Sequence, residues 1–266
     1  MNSNNGNRSR AAWARGFMAL CASLAMGLGL MASPAEAAPF ADVTNFDKAG
    51  QAVVSVIDTA TNTVVTTVPL GVTKISPIEL AVAPDGKHVY VLPGFKVLVI
   101  DAATNIVVAI IPVEETTFGL AVTPDSKHVY VVQQGSGTFV VIDAASNTIL
   151  DTIKVGDVAE QIAIAPDGKH AYVTNFRPNT VSVFETASNT VVATVPVGNG
   201  PFGVAVTPDG KHAYIVNDRS NSVSVIDTAT NTVVATVPAV GGFPIEVAIT
   251  PDGKHAYVAN ESSSNN

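Results

Sequence analysis

The chain repeats one pattern about every 42 residues, and no other feature restricts its fold as strongly. The segment Pro84–Val91 returns with small changes, beginning at Pro124, Pro166, Pro208 and Pro251. A second segment, Ile57–Thr63, alternates with it and returns beginning at Ile100, Ile142, Phe184 and Ile226. Self-similarity at this period indicates a solenoid, an array or a propeller, in which each repeat buries its apolar face against its neighbours.

Each repeat contains four short segments that have the pattern of β-strands. In the fourth copy they are Phe202–Thr207, His212–Val216, Ser222–Ile226 and Thr232–Pro238. Val, Ile, Thr and Tyr dominate these segments and none has helical spacing, which excludes an α-solenoid. Four antiparallel strands in a repeat of this length predict one blade of an all-β propeller.

The repeats also resemble a known family. The run Tyr172–Asn175, the run Val223–Asn231 and the Pro-Asp-Gly-Lys turn are similar to the YVTN family of β-propeller repeats. The similarity extends over residues 40–260. It implies an exported, surface-layer-like propeller, but it implies no particular site, because the repeat consensus encodes the blade.

The number of strands predicts five blades in a single domain at residues 38–260. The last two strands, within Glu246–Asn260, are expected to complete the blade that the first strands of the domain begin, so that a two-plus-two clasp closes the ring. A surplus strand at Ala41–Asn45 fits this scheme least well. An open arc that closes by dimerisation and a piece of a longer propeller are the alternatives. Residues 261–266 are expected to form a polar tail.

The first 37 residues have the pattern of a secretory signal peptide. Arg8, Arg10 and Arg15 precede an apolar stretch at Phe17–Met31, and small residues follow up to a cleavage site after Ala37. A membrane anchor is the alternative, but the apolar stretch is shorter than the ~20 residues that a span needs. The sequence therefore predicts a secreted or cell-surface protein without membrane insertion after cleavage.

Composition excludes several classes of function. The single Cys and the single Trp both lie within the signal segment, so the exported part has no thiolate, disulfide or Cys-based metal site. The formal net charge of −8 argues against nucleic acid as a partner. An apolar content of 47% excludes a disordered chain.

The histidines belong to the repeat. All five lie at the same place after the Pro-Asp turn, namely His88, His128, His170, His212 and His255. A residue that recurs once per blade is expected to serve packing and hydrogen bonding, as are the turn aspartates. No histidine is therefore left to act as the base of a Ser–His–Asp triad.

One position does vary in a way that suggests chemistry. Five residues before the turn prolines lie Glu79, Gly119, Gln161, Gly203 and Glu246, which we expect to edge the central channel. Two carboxylates opposite an amide could hold Ca²⁺ through oxygen ligands, or raise each other's pKa and act as an acid/base pair. The alternative is that both are solvated residues of the rim.

The loops at the channel end are expected to form a ligand-binding face because they vary between copies, whereas the opposite turns hardly do. Candidate residues of this face are Glu114, Glu115, Gln161, Arg177, Asp218 and Arg219. The two arginines could clamp one carboxylate or phosphate. Solvated arginines, or a pair with a neighbour such as Asp218, are the alternatives.

We therefore expect a non-catalytic exported scaffold that binds a protein or glycan through this face, as a monomer or with weak self-association. The resemblance to exported propellers that are enzymes with a cation at the channel mouth implies an alternative, a metal-assisted lactonase or lyase. A self-associating structural protein of the cell surface is a further alternative.

Overall fold

A computed structural model describes residues 40–73 and 79–261 of the chain. Within these ranges the backbone forms 21 β-strands, arranged as small antiparallel sheets. The predicted signal peptide at residues 1–37 and residues 262–266 of the predicted tail lie outside the described residues. In the described part, no helix is long and apolar enough to cross a membrane.

Four of the sheets are complete blades, each with four strands in sequence order. The first consists of β4 (Glu79–Val82), β5 (His88–Leu92), β6 (Lys96–Asp101) and β7 (Ile106–Pro112). The second consists of β8 (Thr117–Val122), β9 (His128–Gln133), β10 (Thr138–Asp143) and β11 (Thr148–Lys154). The third consists of β12 (Ala159–Ile164), β13 (His170–Asn175), β14 (Thr180–Glu185) and β15 (Thr190–Pro196). The fourth consists of β16 (Pro201–Val206), β17 (His212–Asn217), β18 (Ser222–Asp227) and β19 (Thr232–Pro238).

Two further sheets are incomplete blades. The first strands of the domain form a three-stranded sheet of β1 (Phe40–Phe46), β2 (Gln51–Asp58) and β3 (Thr63–Thr73). The last strands form a two-stranded sheet of β20 (Pro244–Ile249) and β21 (Ala256–Asn260). The all-β propeller architecture that the repeats predict is thus confirmed.

The predicted two-plus-two clasp is wrong, because these two sheets do not pair. Strand β1 is the reason. It pairs along its whole length with β2, from Phe40 opposite Asp58 to Phe46 opposite Ala52. It therefore occupies the edge of the blade to which β21 would have been added. The surplus strand at Ala41–Asn45 is a real strand, and its pairing with β2 prevents the predicted five-bladed closure.

Adjacent blades are held together by apolar side chains that lie between the sheets. The middle strands are buried on both faces, as in β13, where every residue after His170 is buried. Tyr130 and Phe139 of one blade meet Phe184 of the next at ring-centroid distances of 4.5 to 5.5 Å. Packing of this kind stabilises the arc through burial of large apolar area.

The C-terminal sheet shows what a missing neighbour does. Tyr90, Tyr130 and Tyr172 are almost fully buried, whereas the equivalent Tyr257 is 66% exposed. The difference arises because the described part of the chain places no blade beyond β20 and β21.

The turn residues have the structural role that their repetition predicts. In the second blade the Asp125 carboxylate accepts hydrogen bonds from the Thr123 hydroxyl and the Lys127 backbone N–H. The Thr123 bond is the main cause of the lowered pKa of Asp125. His128 begins the next strand, and its backbone N–H donates to the Thr123 hydroxyl. These groups lie at the end of the strands opposite the candidate site, so they take no part in it.

At the other end of the strands, an asparagine packs against a glycine of the adjacent loop. The Asn175 side chain donates to the Ser182 hydroxyl over 2.9 Å. A Cβ atom on Gly156 would lie 2.2 Å from Asn175 Oδ1, closer than real contacts allow. The same pairing recurs between Gly198 and Asn217. The glycines are therefore required by packing, since the asparagine occupies the space of a side chain.

Replacing Gly156 with Ala is expected to lower the free energy of unfolding by about 1–3 kcal/mol, because Asn175 must move and lose its bond to Ser182. Gly242→Ala is the matched control, since its Cβ meets nothing within 4 Å. Urea denaturation of both variants measures the difference. Equal midpoints for Gly156→Ala and the wild type would contradict this packing role.

Candidate active site in the central channel

Four of the described innermost strands, β8, β12, β16 and β20, are irregular at the channel end. In β12, Ala159 pairs with Asn175 and Ile162 with Val173, so Glu160 and Gln161 together oppose Thr174 alone. Comparable shifts of register occur in β8, β16 and β20. A bulge of this kind turns side chains away from the regular alternation, and it occurs often next to active sites.

Glycines at alternate blades make room for larger side chains at the position that the sequence predicts to edge the channel. A Cβ on Gly119 would lie 2.9 Å from the Cα of Gln161 in the next blade. A Cβ on Gly203 would lie 2.9 Å from the Cα of Glu246 in the blade after it. Neighbouring inner strands are thus too close for two large residues side by side. The order Glu, Gly, Gln, Gly, Glu is the one that fits.

Glu79 and Gln161 meet across the channel. The Gln161 side-chain amide donates a hydrogen bond of 2.7 Å from Nε2 to Oε2 of Glu79. Only 9% of the Gln161 surface is exposed. Burial raises the pKa of Glu79 well above its usual value of 4.5, and the nearby Glu246 carboxylate raises it further, while the bond from Gln161 opposes both effects. Glu79 therefore retains its proton to higher pH than an exposed glutamate does.

Glu246 is the second carboxyl group of the cluster. Burial raises its pKa to about 7, and the hydrogen bond that its Oε1 accepts from the Val247 backbone N–H lowers it slightly. Because Glu246 also raises the pKa of Glu79, the two groups titrate as a pair, and the second proton leaves at higher pH than the first. At neutral pH the pair can hold one proton and one negative charge.

Glu160 is a third buried carboxyl group, and the repeat pattern did not identify it as a site residue. It is 3% exposed, and both of its oxygens accept from Nε2 of Gln134 over 2.8 Å. Burial raises its pKa to about 7, and the charge of Asp218 adds to that rise. The sequence did contain a signal for Glu160, because the equivalent position in other copies is apolar. Those residues are Phe118, Phe202 and Ile245.

Aromatic rings lie beside these carboxyl groups at the mouth. Phe118 and Phe202 contact each other edge to face with centroids 6.2 Å apart, and Phe176 meets Phe202 at 6.5 Å. The Arg219 guanidinium lies over the Phe176 ring at 4.5 Å. All three rings are partly exposed, so they present an apolar surface to a ligand.

The other candidates of the variable face have varied surroundings. Glu114 and Arg177 are exposed. Glu115, in the loop between β7 and β8, accepts a hydrogen bond from the Ser136 backbone N–H in the loop between β9 and β10. Arg219 is stacked on Phe176, and the clamp of Arg177 and Arg219 on one anion stays a prediction.

A calcium ion fits this cluster poorly. Two carboxyl groups and one amide are far fewer than the about six to eight oxygen ligands that Ca²⁺ takes. The amide also directs its N–H toward Glu79, which is the arrangement that stabilises a carboxylate without a cation. Elsewhere among the described residues, no group of three or more His, Cys, Asp or Glu could hold a metal ion. The predicted Ca²⁺ stays a prediction.

Two cavities lie away from the channel. One, of about 380 Å³, lies between the first two sheets and is lined mainly by apolar residues, together with Asp42 and Asn105. Another, of about 420 Å³, is bounded by Pro112, Glu114 and Gln133. Neither brings two carboxyl groups together, so the channel cluster is the better candidate for chemistry.

Solved structures with this architecture support the propeller. Hydrazine synthase from Kuenenia stuttgartiensis aligns with a TM-score of 0.66 and 32% identity over 68% of this chain and 55% of its own. A protein described as a candidate 6-phosphogluconolactonase from Bacteroides uniformis aligns with a TM-score of 0.71 and 17% identity, over 85% of this chain and 76% of its own. Another from Bacteroides fragilis, described likewise, has a TM-score of 0.71 and 21% identity, over 86% and 76%.

The comparison with curated protein sequences gives no match. The model of the family described as "Lactonase, 7-bladed beta-propeller" matches residues 120–266, which is more than half of the chain. The YVTN similarity stays a resemblance, and the blade number of this family is seven rather than the predicted five. The prediction of a non-catalytic binding scaffold is wrong, because the family is one of lactonases. The chain belongs to the lactonase family of seven-bladed β-propellers.

Proposed function

We propose that the chain hydrolyses a lactone at the channel cluster of Glu79, Gln161 and Glu246. The observation that carries this proposal is the pair of partly buried carboxyl groups with raised pKa values, at the channel mouth of a lactonase-family propeller. Structural neighbours described as candidate 6-phosphogluconolactonases agree with the reaction class. The metal-assisted form of this enzyme and a lyase reaction have less support, since the cluster lacks a full set of cation ligands.

The reaction needs one base and one acid, and the pair supplies both. The Glu246 carboxylate accepts a proton from a water molecule as the water oxygen attacks the lactone carbonyl carbon. The bond between that carbon and the ring oxygen then breaks. Protonated Glu79 gives its proton to the leaving ring oxygen, so the product is a hydroxy acid. Proton exchange with solvent restores the starting states of the pair.

The roles follow from the difference between the two environments. Burial raises the pKa of both groups, and the charge of Glu246 raises the pKa of Glu79 in addition. Glu79 therefore holds the proton when Glu246 has lost its own, which is the rule by which two nearby carboxyl groups divide acid and base work. Gln161 positions Glu79 through its hydrogen bond and touches no reacting atom itself.

Replacing either carboxyl group with its amide is expected to reduce lactone hydrolysis by on the order of 10²- to 10⁴-fold, because positioned acid–base groups contribute that much to a rate. The variants are Glu79→Gln and Glu246→Gln, and the measurement is kcat/KM for dihydrocoumarin, followed as acid release. Glu185→Gln, at the opposite end of the strands, is the matched control with wild-type activity. Wild-type rates in both channel variants would remove the cluster from the mechanism.

The dependence of kcat/KM on pH is expected to be bell-shaped. Activity rises as Glu246 loses its proton, with a midpoint near its pKa of about 7 rather than near 4.5. It falls at higher pH as Glu79 loses the proton that the leaving oxygen requires. The rising limb should persist in Glu160→Gln, although the pKa of Glu160 is also about 7. A rising limb at ordinary carboxyl pH, or its loss in Glu160→Gln, would contradict the assignment of the base.

A further inference from the structure

The strands that line the channel carry negative charge and no positive charge. In the described inner strands β4, β8, β12, β16 and β20, the charged residues are Glu79, Glu160 and Glu246, and none is Lys, Arg or His. Burial raises the pKa of both Glu79 and Glu246, and the charge of Glu246 raises the pKa of Glu79 further. An anionic ligand in the channel would therefore meet like charge in a poorly solvated place.

Arg219 at the mouth does not reverse this balance. Its guanidinium is directed onto the Phe176 ring rather than into the channel. Its neighbour Asp218 is partly buried, which raises the pKa of that carboxyl, while Arg219 lowers it and Glu261 raises it. The charge of Asp218 in turn reaches Glu160. Arg219 thus has the Asp218 carboxyl group beside it, whereas phosphate sites are built from convergent Arg, Lys and backbone N–H groups.

The apolar surface at the mouth supplies a different kind of attraction. Phe118, Phe202 and Phe176 form a continuous edge-to-face series. The backbone C=O of Phe202 accepts a hydrogen bond of 2.6 Å from the buried Thr174 hydroxyl of the preceding blade, which positions that ring. Thr174 also accepts from the backbone N–H of Gln161, so the aromatic series and the carboxyl cluster are joined.

We infer that the substrate is an uncharged lactone with an apolar ring or chain, whose apolar part packs on these phenylalanines while its carbonyl group enters the carboxyl cluster. This inference rests on the proposed lactone hydrolysis and specifies its substrate class. It separates the chain from neighbours described as candidate 6-phosphogluconolactonases, whose named substrate carries a phosphate group. Identities of 17% and 21% to those proteins show a shared fold, and a fold does not determine a substrate.

A panel of three six-membered lactones tests the inference. The probes are dihydrocoumarin, which is neutral and aromatic, glucono-δ-lactone, which is neutral and polar, and 6-phosphoglucono-δ-lactone. We expect kcat/KM to decrease in that order, with the first at least about 100-fold above the last, because like charge and loss of apolar contact both disfavour the phosphorylated ring. A kcat/KM for the phosphorylated lactone equal to or above that for dihydrocoumarin would overturn the inference.

The variant Phe202→Ala tests the aromatic series directly. It should lower kcat/KM for dihydrocoumarin by about tenfold and change that for γ-butyrolactone, which has no apolar substituent, by less than about twofold. Phe176→Ala is a second variant in case the first unfolds. Phe95→Ala, an exposed phenylalanine outside the series, is the control. If the folded variant lost kcat/KM equally for both lactones, packing of the Phe202 ring on the apolar part of the substrate would be contradicted.

Binding without turnover separates the inference from the proposed function. Calorimetry with 3,4-dihydro-2-quinolinone, a lactam with the shape of dihydrocoumarin, should show binding that Phe202→Ala weakens, and 6-phosphogluconate should not bind. If no lactone is hydrolysed but this pattern appears, hydrolysis fails as the function and the ligand class stands. Binding of 6-phosphogluconate, or of neither compound, overturns the ligand class.

Discussion

The close approach of neighbouring inner strands is the constraint on which the site depends. A Cβ on Gly119 would meet the backbone of the next strand at 2.8 to 2.9 Å, and the same constraint holds for Gly203. Two adjacent blades therefore cannot both place a large residue at this level of the channel. Glycine in every second blade lets Glu79, Gln161 and Glu246 reach inward, where they lose water and interact with one another.

The loss of water raises the pKa values of these carboxyl groups, which the proposed chemistry requires. It also lowers the stability of the folded chain as the pH rises. The folded chain binds protons on Glu79 and Glu246 that the unfolded chain, with carboxyl pKa values near 4.5, has already released. Folding stability from these groups accordingly falls as the pH rises from about 4.5 through about 7. A scaffold made only for rigidity would place amides or apolar residues there, whereas an acid–base pair that works near neutral pH requires raised pKa values.

The repeat was enough to predict the blades, because each copy has the same four strands and the same turn chemistry. It also predicted that Asp125 serves the turn, and the hydrogen bonds of that turn agree. Closure of the ring could not be predicted, since it depended on whether Ala41–Asn45 or the last strand pairs with β2. That competition concerns two edges far apart in the sequence, and repeat counting does not decide it.

The site, like the fold, could be predicted from the sequence only in part. Glu79, Gln161 and Glu246 share one position in the repeat, so comparison of the copies was sufficient to place them at the channel. Glu160 was missed because it stands at a position that alternation assigns to apolar residues, and only the bulge in β12 explains how it is accommodated. The function was misjudged for a physical reason as well. The lack of a free histidine and of a free nucleophile favoured a scaffold, although the carboxyl pair at the channel position can act as acid and base near neutral pH once it is buried.

Burial of Glu79 and Glu246 together in the channel should let them keep a shared proton in the neutral range, and the proposed chemistry depends on that proton. Infrared titration of the carboxylic acid carbonyl band measures it without any substrate. We predict that part of this band persists in the wild type up to about pH 7, and that Glu79→Gln/Glu246→Gln removes that part and leaves the share of Glu160. A wild-type band that disappears with the ordinary midpoint near 4.5 would contradict this prediction.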